Sequence, residues 1–285
     1  MLNITSTIPT KNLPIRRVLS RLFQSYIYSV LDDKEHQGYK HPNGKVFKSM
    51  NFKIFYKDNK IYAKYSALDK ENEKLIAQDI LLNGLKLGEI HISDTSIMLS
   101  ERKSEITSPI QVGGFICANI KDGNSRKKIY LEPSSNKFQE IIHNNTLEKY
   151  EALFEKKYNG NLEIKVIKQM PKVKIFHYNK GVIKAWYAIY EIIGDKDIIE
   201  MILDTGMGSD AMKGVGFVEI KNKIWYYYDI LLSKNNKGKC KKFNWRLFMN
   251  KKVLLDINII GFYKKIKDYK NNKFSKIQLK ILRWV

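Results

Sequence analysis

"GMGSDAMKGVGFVEI" occupies residues 206–220 and sets four glycines, Gly206, Gly208, Gly214 and Gly216, within eleven residues. An amphipathic run, "DKDIIEMILDTG", leads into it, and its own end, "VGFVEI", reads as a strand. Bare backbone between a helix and a strand has two readings. The loop can leave its N–H groups open to a phosphate, or the chain can be turning where only glycine turns. A dinucleotide fingerprint is excluded, because that motif follows a strand and opens a helix, the reverse of this order. The lysine of a Walker loop is missing as well.

Upstream of this loop the chain reads as two rounds of one plan. Residues 2–8 alternate as a short strand, and Pro14 opens a helix over 14–31 with Ile15, Val18, Leu19, Leu22, Ile27 and Val30 as core positions. "HQGYKHPNGK" (36–45) is a polar turn segment. "VFKSMNFKIFYKDNKIYAKYSAL" (46–68) holds two β-rich runs around "KDNK" and predicts a hairpin. "ENEKLIAQDILLNGL" is a second helix closed by Gly84 or Gly88, and "EIHISDTSIML" a further strand. Strand, helix, strand, strand, helix, strand is the split βαβ, ferredoxin-like order.

The second round uses different residues. "PIQVGGFICANI" and "KKIYLEP" are strands, and "KFQEIIHNNTLEKYEALFEKKY" is a long helix with Phe138, Ile141, Ile142, Leu147, Tyr150 and Phe154 largely on one face. "LEIKVIKQ", "VKIFHYNKG" and "VIKAWYAIYEIIG" are strands, and the helix before the glycine loop starts at an Asp cap. The expectation is an α+β protein of tandem ferredoxin-like (RRM-like) domains with a basic C-terminal extension. Residues 1–105 form the first domain, 106–220 the second with the glycine loop, and 221–285 the extension.

Composition bounds the rest. At 285 residues with 44% hydrophobic content the chain can bury a core, and no apolar run reaches the roughly 18–20 residues of a membrane span. The first residues lack the charged-then-apolar order of a secretory signal. Cys117 and Cys240 stand far apart, and no histidine pair has zinc spacing. A cytoplasmic protein without membrane contact, metal, cofactor or disulfide is expected. The net charge of +22 is uneven: residues 221–285 hold 18 Lys and Arg against 3 Asp, so this segment alone carries +15. That basic, aromatic stretch reads either as a non-specific RNA-contacting surface or as an extension with no selected role.

Among five histidines, His36 and His41 lie on the lysine-rich glycine segment after the first helix, where a general acid or base could face a phosphodiester. His91 and His143 read as structural, on a strand and a helix, and His177 sits in a basic run suited to contacting RNA. The pattern "YIYSVL…EHQGY…FKSMNF", the tandem plan and the late glycine loop together resemble the CRISPR-associated endoribonucleases that cut repeat RNA. These form the sixth-numbered Cas family, within the RAMP superfamily. Gly206, Gly208, Gly214 and Gly216 match that family's late signature in place, and the resemblance covers residues 1–220.

The resemblance implies metal-independent cleavage of repeat RNA, in which the 2′-hydroxyl attacks the neighbouring phosphate and leaves a 2′,3′-cyclic phosphate. It places the catalytic histidine on His36, with Tyr28 in the first helix and Lys48 after the histidine as helpers. It places RNA contacts on the four glycines, and Lys45 and Lys213 are expected to contact RNA as well. An imidazole titrates near neutral pH and an ammonium can stabilise charge on pentacoordinate phosphorus, so the residue types suit the roles. His41 and Lys45 form a rival pair, and Lys53 follows Phe52 where the family often has serine. The implied partners are precursor guide RNA and other subunits of an interference complex. A non-catalytic RNA-binding subunit of such a complex is the alternative from another class.

Overall fold

The computed structural model describes residues 1–8, 17–101, 106–123, 127–179 and 181–221, all within one compact unit. Pro14, Ile15 and the extension from residue 222 onward lie outside the described residues.

Strand β1 (Leu2–Thr7) buries Leu2, Ile4 and Ser6 on one face, the period of two expected of a half-buried strand. Helix α1 (Leu19–Val30) buries Leu19, Phe23, Tyr26 and Ile27, a stripe at helical spacing. The polar segment after it is not all loop. Asp32 accepts the Glu35 N–H at 3.0 Å and starts a single helical turn, α2 (Asp33–Gln37), which ends at Gly38. His36 therefore sits on a capped turn with a fixed backbone. A small hairpin follows, β2 (Tyr39–Lys40) against β3 (Val46–Phe47).

The hairpin of β4 (Met50–Lys57) and β5 (Lys60–Ala67) turns on Asp58 and Asn59, both at positive φ (50° and 58°). That is the two-residue geometry whose twist matches the flanking strands. Helix α3 (Lys70–Asn83) starts at Asp69, whose carboxylate takes the Glu71 N–H at 2.9 Å, and closes at Gly84. A second small hairpin, β6 (Leu85–Leu87) with β7 (Ile90–Ile92), precedes β8 (Thr95–Leu99). The main sheet runs β4-β5-β1-β8, wholly antiparallel, with the first strand interior as the split βαβ order requires.

The second half repeats that order. Strand β9 (Ile110–Ile116) breaks at Cys117, and the chain continues into a separate hairpin, β10 (Ala118–Lys121) and β11 (Lys128–Leu131). Helix α4 (Asn136–Phe154) buries Phe138, Ile142 and Tyr150, and with them the polar Thr146 and Lys149. The two runs expected before β13 (Gly181–Ile193) are one strand, β12 (Glu163–Tyr178), with register shifts between Val166 and Lys168 and between Gln169 and Val173. Pro171 is tolerated there because β12 is an edge strand and the ladder is already interrupted. Helix α5 (Lys196–Thr205) and the glycine loop lead to β14 (Val218–Ile220), giving the antiparallel order β12-β13-β9-β14. Asp195 precedes α5 as expected, but its carboxylate takes the Tyr158 hydroxyl at 3.0 Å instead of a helix N–H. Each sheet backs its own apolar core, and Met212 of the glycine loop is buried in the core of the first half.

Candidate functional site

Three residues far apart in motif position meet beside α2. The His36 imidazole lies on the Tyr28 ring, centroids 4.8 Å apart and planes 40° apart. The Lys48 ammonium stands 5.1 Å from the centre of the same ring and donates to the carbonyl oxygens of Glu35, at 3.3 Å, and His36. One helix, one capped turn and the segment entering β4 thus converge on the Tyr28 ring. An ammonium carries three donors, so these two carbonyls leave one for an outside acceptor. Burial pushes the Lys48 ammonium below its ordinary value, with the Glu35 charge opposing.

Glu35 is the residue that sequence reading missed. On a polar stretch it reads as solvated, yet it is buried. Its carboxylate accepts from Tyr39 at 3.1 Å and from Ser49, tying the turn to both following segments. The neighbouring histidine is exposed as a consequence, since successive residues of a helical turn face different ways. Tyr28 presents its ring to the site and buries its hydroxyl, which has no hydrogen-bond partner among the described residues. Burial pushes that hydroxyl up to about 12, so it holds its proton at neutral pH.

The rival pair lies elsewhere. His41 faces Glu151 on α4 at 3.5 Å, and the Lys45 ammonium bonds Glu148 at 2.6 Å and Asn145 at 3.1 Å on the same helix. Both side chains serve the contact between the halves. His91 bonds the Asn83 carbonyl at 2.6 Å and His143 that of Leu162 at 3.2 Å, while His177 is exposed on β12.

The four loop glycines are at positive φ, between 74° and 87°, and Gly206, Gly214 and Gly216 are buried. A Cβ on Gly206 would stand 2.0 Å from the Asn51 amide, and one on Gly214 would stand 2.5 Å from Ser20 Oγ. Both obstacles belong to the first half, so the close approach of the halves itself requires glycine. The N–H groups of Met207, Ser209 and Gly216 donate to the carbonyls of Gly216, Cys117 and Phe115 at 2.7–2.9 Å. Asn51 is fully buried: its carboxamide oxygen accepts the Met212 N–H at 3.2 Å and its amide donates to the Val215 carbonyl at 3.3 Å. Lys213 lies on the outer side, paired with Asp210 and 5.5 Å above the Tyr178 ring. Asp210 also takes Lys128 at 2.8 Å and Asn119 at 2.9 Å.

Two further groups brace this junction. Lys149 of α4 is buried and donates to Gly206 O at 2.8 Å and Thr205 O at 3.1 Å, capping the carbonyl end of α5. Burial lowers its ammonium to about 7. Glu219 of β14 takes Lys64 at 2.7 Å and also Lys53, both from the first sheet. Burial raises the Glu219 carboxyl, but the two lysines override it and hold the group below its ordinary range.

Among the described residues no helix is long and apolar enough to cross a membrane.

Residues 93–220 match the family model described as CRISPR associated protein Cas6, C-terminal. A curated relative, CRISPR-associated endoribonuclease Cas6 1 of Methanocaldococcus jannaschii, is 28% identical over 167 residues. That match covers 56% of this chain and 64% of the relative, so it spans less than two thirds of the relative's length. A solved CRISPR associated protein Cas6 superposes with a TM-score of 0.57 at 20% identity, covering 78% of this chain and 98% of its own. A Cas6-related protein from Pyrococcus furiosus superposes at 0.59 with 17% identity, covering 78% and 99%. A RAMP protein described as binding different RNA substrates gives 0.59 at 14% identity over the same shares. These likenesses carry the tandem ferredoxin-like fold. The chain resembles the Cas6 proteins in fold along 78% of its length and matches the C-terminal Cas6 family model over residues 93–220.

Proposed function

We propose that this protein is an endoribonuclease that binds and cuts CRISPR repeat RNA in precursor transcripts without a metal ion. The curated relative is named a CRISPR-associated endoribonuclease. The observation that carries the reading is the meeting of the His36 imidazole, the Lys48 ammonium and the Tyr28 ring at one exposed turn.

In the proposed step the ribose O2′ attacks the adjacent phosphorus as a base takes its proton. A pentacoordinate phosphorus forms, the bond from phosphorus to O5′ breaks, and an acid returns a proton to O5′. The products are a 2′,3′-cyclic phosphate and a 5′-hydroxyl. His36 moves one of those protons, and the remaining Lys48 donor meets the non-bridging oxygens as their charge grows. Tyr28 acts through its ring, which carries both groups. The glycine loop sets the distance between the halves, and Lys213 on its outer side offers positive charge to the RNA.

Incubating the full chain with end-labelled repeat RNA in excess EDTA tests the reading. Cleavage should persist, the upstream product should end in a cyclic phosphate, and a 2′-deoxy nucleotide at the cut should block it. Activity lost in EDTA and restored by magnesium would overturn the mechanism.

A further inference from the structure

One face of the second sheet gathers aromatic rings and lysines that the cleavage chemistry does not use. Phe115 on β9 stands opposite Tyr187 on β13 in register, with ring centroids 5.2 Å apart. Phe176 on β12 reaches Phe115 across β13, with ring centroids 5.6 Å apart. All three rings are half-buried and so keep part of their surface in solvent. The Lys174 ammonium lies 4.7 Å from the Phe115 ring centre and 4.9 Å from that of Phe176, and Lys221 lies 5.6 Å from Tyr187. Neither lysine pairs with a carboxylate among the described residues. Gly113 makes the space: a Cβ there would stand 2.5 Å from Lys221 Cε and 2.7 Å from the Tyr187 hydroxyl.

Phe115 and Phe176 pack against a small buried cluster of Cys117, Ile183, Ala185 and Val215, yet both stay partly exposed. Partly exposed rings flanked by cations that no carboxylate among the described residues pairs with are what single-stranded nucleic acid needs, a π-face for each base and a positive charge for each phosphate. The face also leads somewhere. Lys174, Phe176 and Tyr178 alternate along β12 and so point the same way. Tyr178 donates to Gln24 on α1, one helical turn from Tyr28, under the ammonium of Lys213. Phe176 and Tyr178 are two strand residues, about 6.6 Å, apart, a spacing that suits successive bases of an extended strand.

We propose that Phe115, Phe176 and Tyr187, with Lys174 and Lys221, form a stacking subsite for unpaired bases of single-stranded RNA that continues through Tyr178 towards His36. This rests on the RNA-cleaving reading above and assigns it a second contact region. The subsite selects for unpaired bases and tolerates their sequence, because every base offers a π-face.

The test measures binding of the full chain to a short unstructured RNA carrying 2-aminopurine, separately from cleavage. The parent should quench the fluorophore. Phe115→Leu and Phe176→Leu, which keep an apolar side chain and lose the ring, should each weaken binding about tenfold and reduce the quenching. Phe55→Leu, an exposed ring on the first sheet, should change neither. Lys174 is exposed, so Lys174→Gln tests the same face without disturbing the fold, and should reduce the log–log salt slope by about 0.7. Parental affinity and quenching in the Leu variants, or an unchanged slope in Lys174→Gln, overturns the subsite even if the protein cuts RNA. Loss of binding in these variants of a protein that cuts nothing supports the subsite and overturns only the nuclease reading.

Discussion

The His36 imidazole rests on the Tyr28 ring at 4.8 Å between centroids, so the orientation of the candidate proton-transfer group is set by a helix residue eight positions earlier. The contact is made by the ring of Tyr28, and its hydroxyl points into the protein. Tyr28→Phe should therefore leave cleavage near the parental rate and raise thermal stability slightly, since it removes a buried hydroxyl that lacks a partner. Tyr28→Ala should slow cleavage by about tenfold or more through loss of positioning. Single-turnover rates and melting curves of the two variants check this, and equal losses in both would assign the role to the hydroxyl.

Gly214 sits at φ 87° with Ser20 where its side chain would be. Gly214→Val should destabilise the protein by about 2 kcal/mol or more, combining left-handed strain with the forced retreat of α1. Denaturant unfolding measures it, and a stability equal to the parent would contradict the account of the junction.

At acid pH the junction should weaken through Glu219. Its folded value is held below that of the unfolded chain by Lys53 and Lys64, so the unfolded state binds more protons in the window between the two. The stabilisation is complete above the unfolded value, about 4, and is lost as pH falls through the lower folded value. Asp210, depressed by Lys128 and Lys213 against its burial, follows the same sign. Unfolding midpoints measured downward from neutral pH should drop below about pH 4, and Glu219→Gln should flatten that drop.

Lys149 acts with the same sign at higher pH. Its folded value near 7 lies below the ordinary lysine value of 10.5, so between these the unfolded chain holds a proton that the folded chain has released. Stability should therefore rise with pH through this window, and the cost of the buried charge should be fully present below it. Lys149→Met should remove that part of the slope, and identical slopes in parent and variant would contradict the assignment.

Much of this was legible in the sequence, because it is local. The strand and helix order follows from periodicity, the Asp58–Asn59 turn from its neighbours, and Tyr28, His36 and Lys48 from a motif resemblance. The unread part depends on pairing across the two halves. Nothing near Lys53 announces Glu219, 166 residues later, and nothing near Lys149 announces the carbonyls of Thr205 and Gly206. The glycine loop shows the limit most clearly. Its spacing alone leaves open a cradle or a turn, and says nothing of Asn51 and Ser20, which press against it from the other half.

The most direct measurement is the single-turnover cleavage of repeat RNA by the parent, His36→Ala and His41→Ala, with RNA affinity measured alongside. His36→Ala should lose roughly 10²–10⁴-fold in rate at little cost in affinity. His41→Ala, whose imidazole faces Glu151 on α4, should stay close to the parent. Parental cleavage by His36→Ala, or a loss confined to His41→Ala, would contradict the assignment of the reaction to the turn that Tyr28 supports.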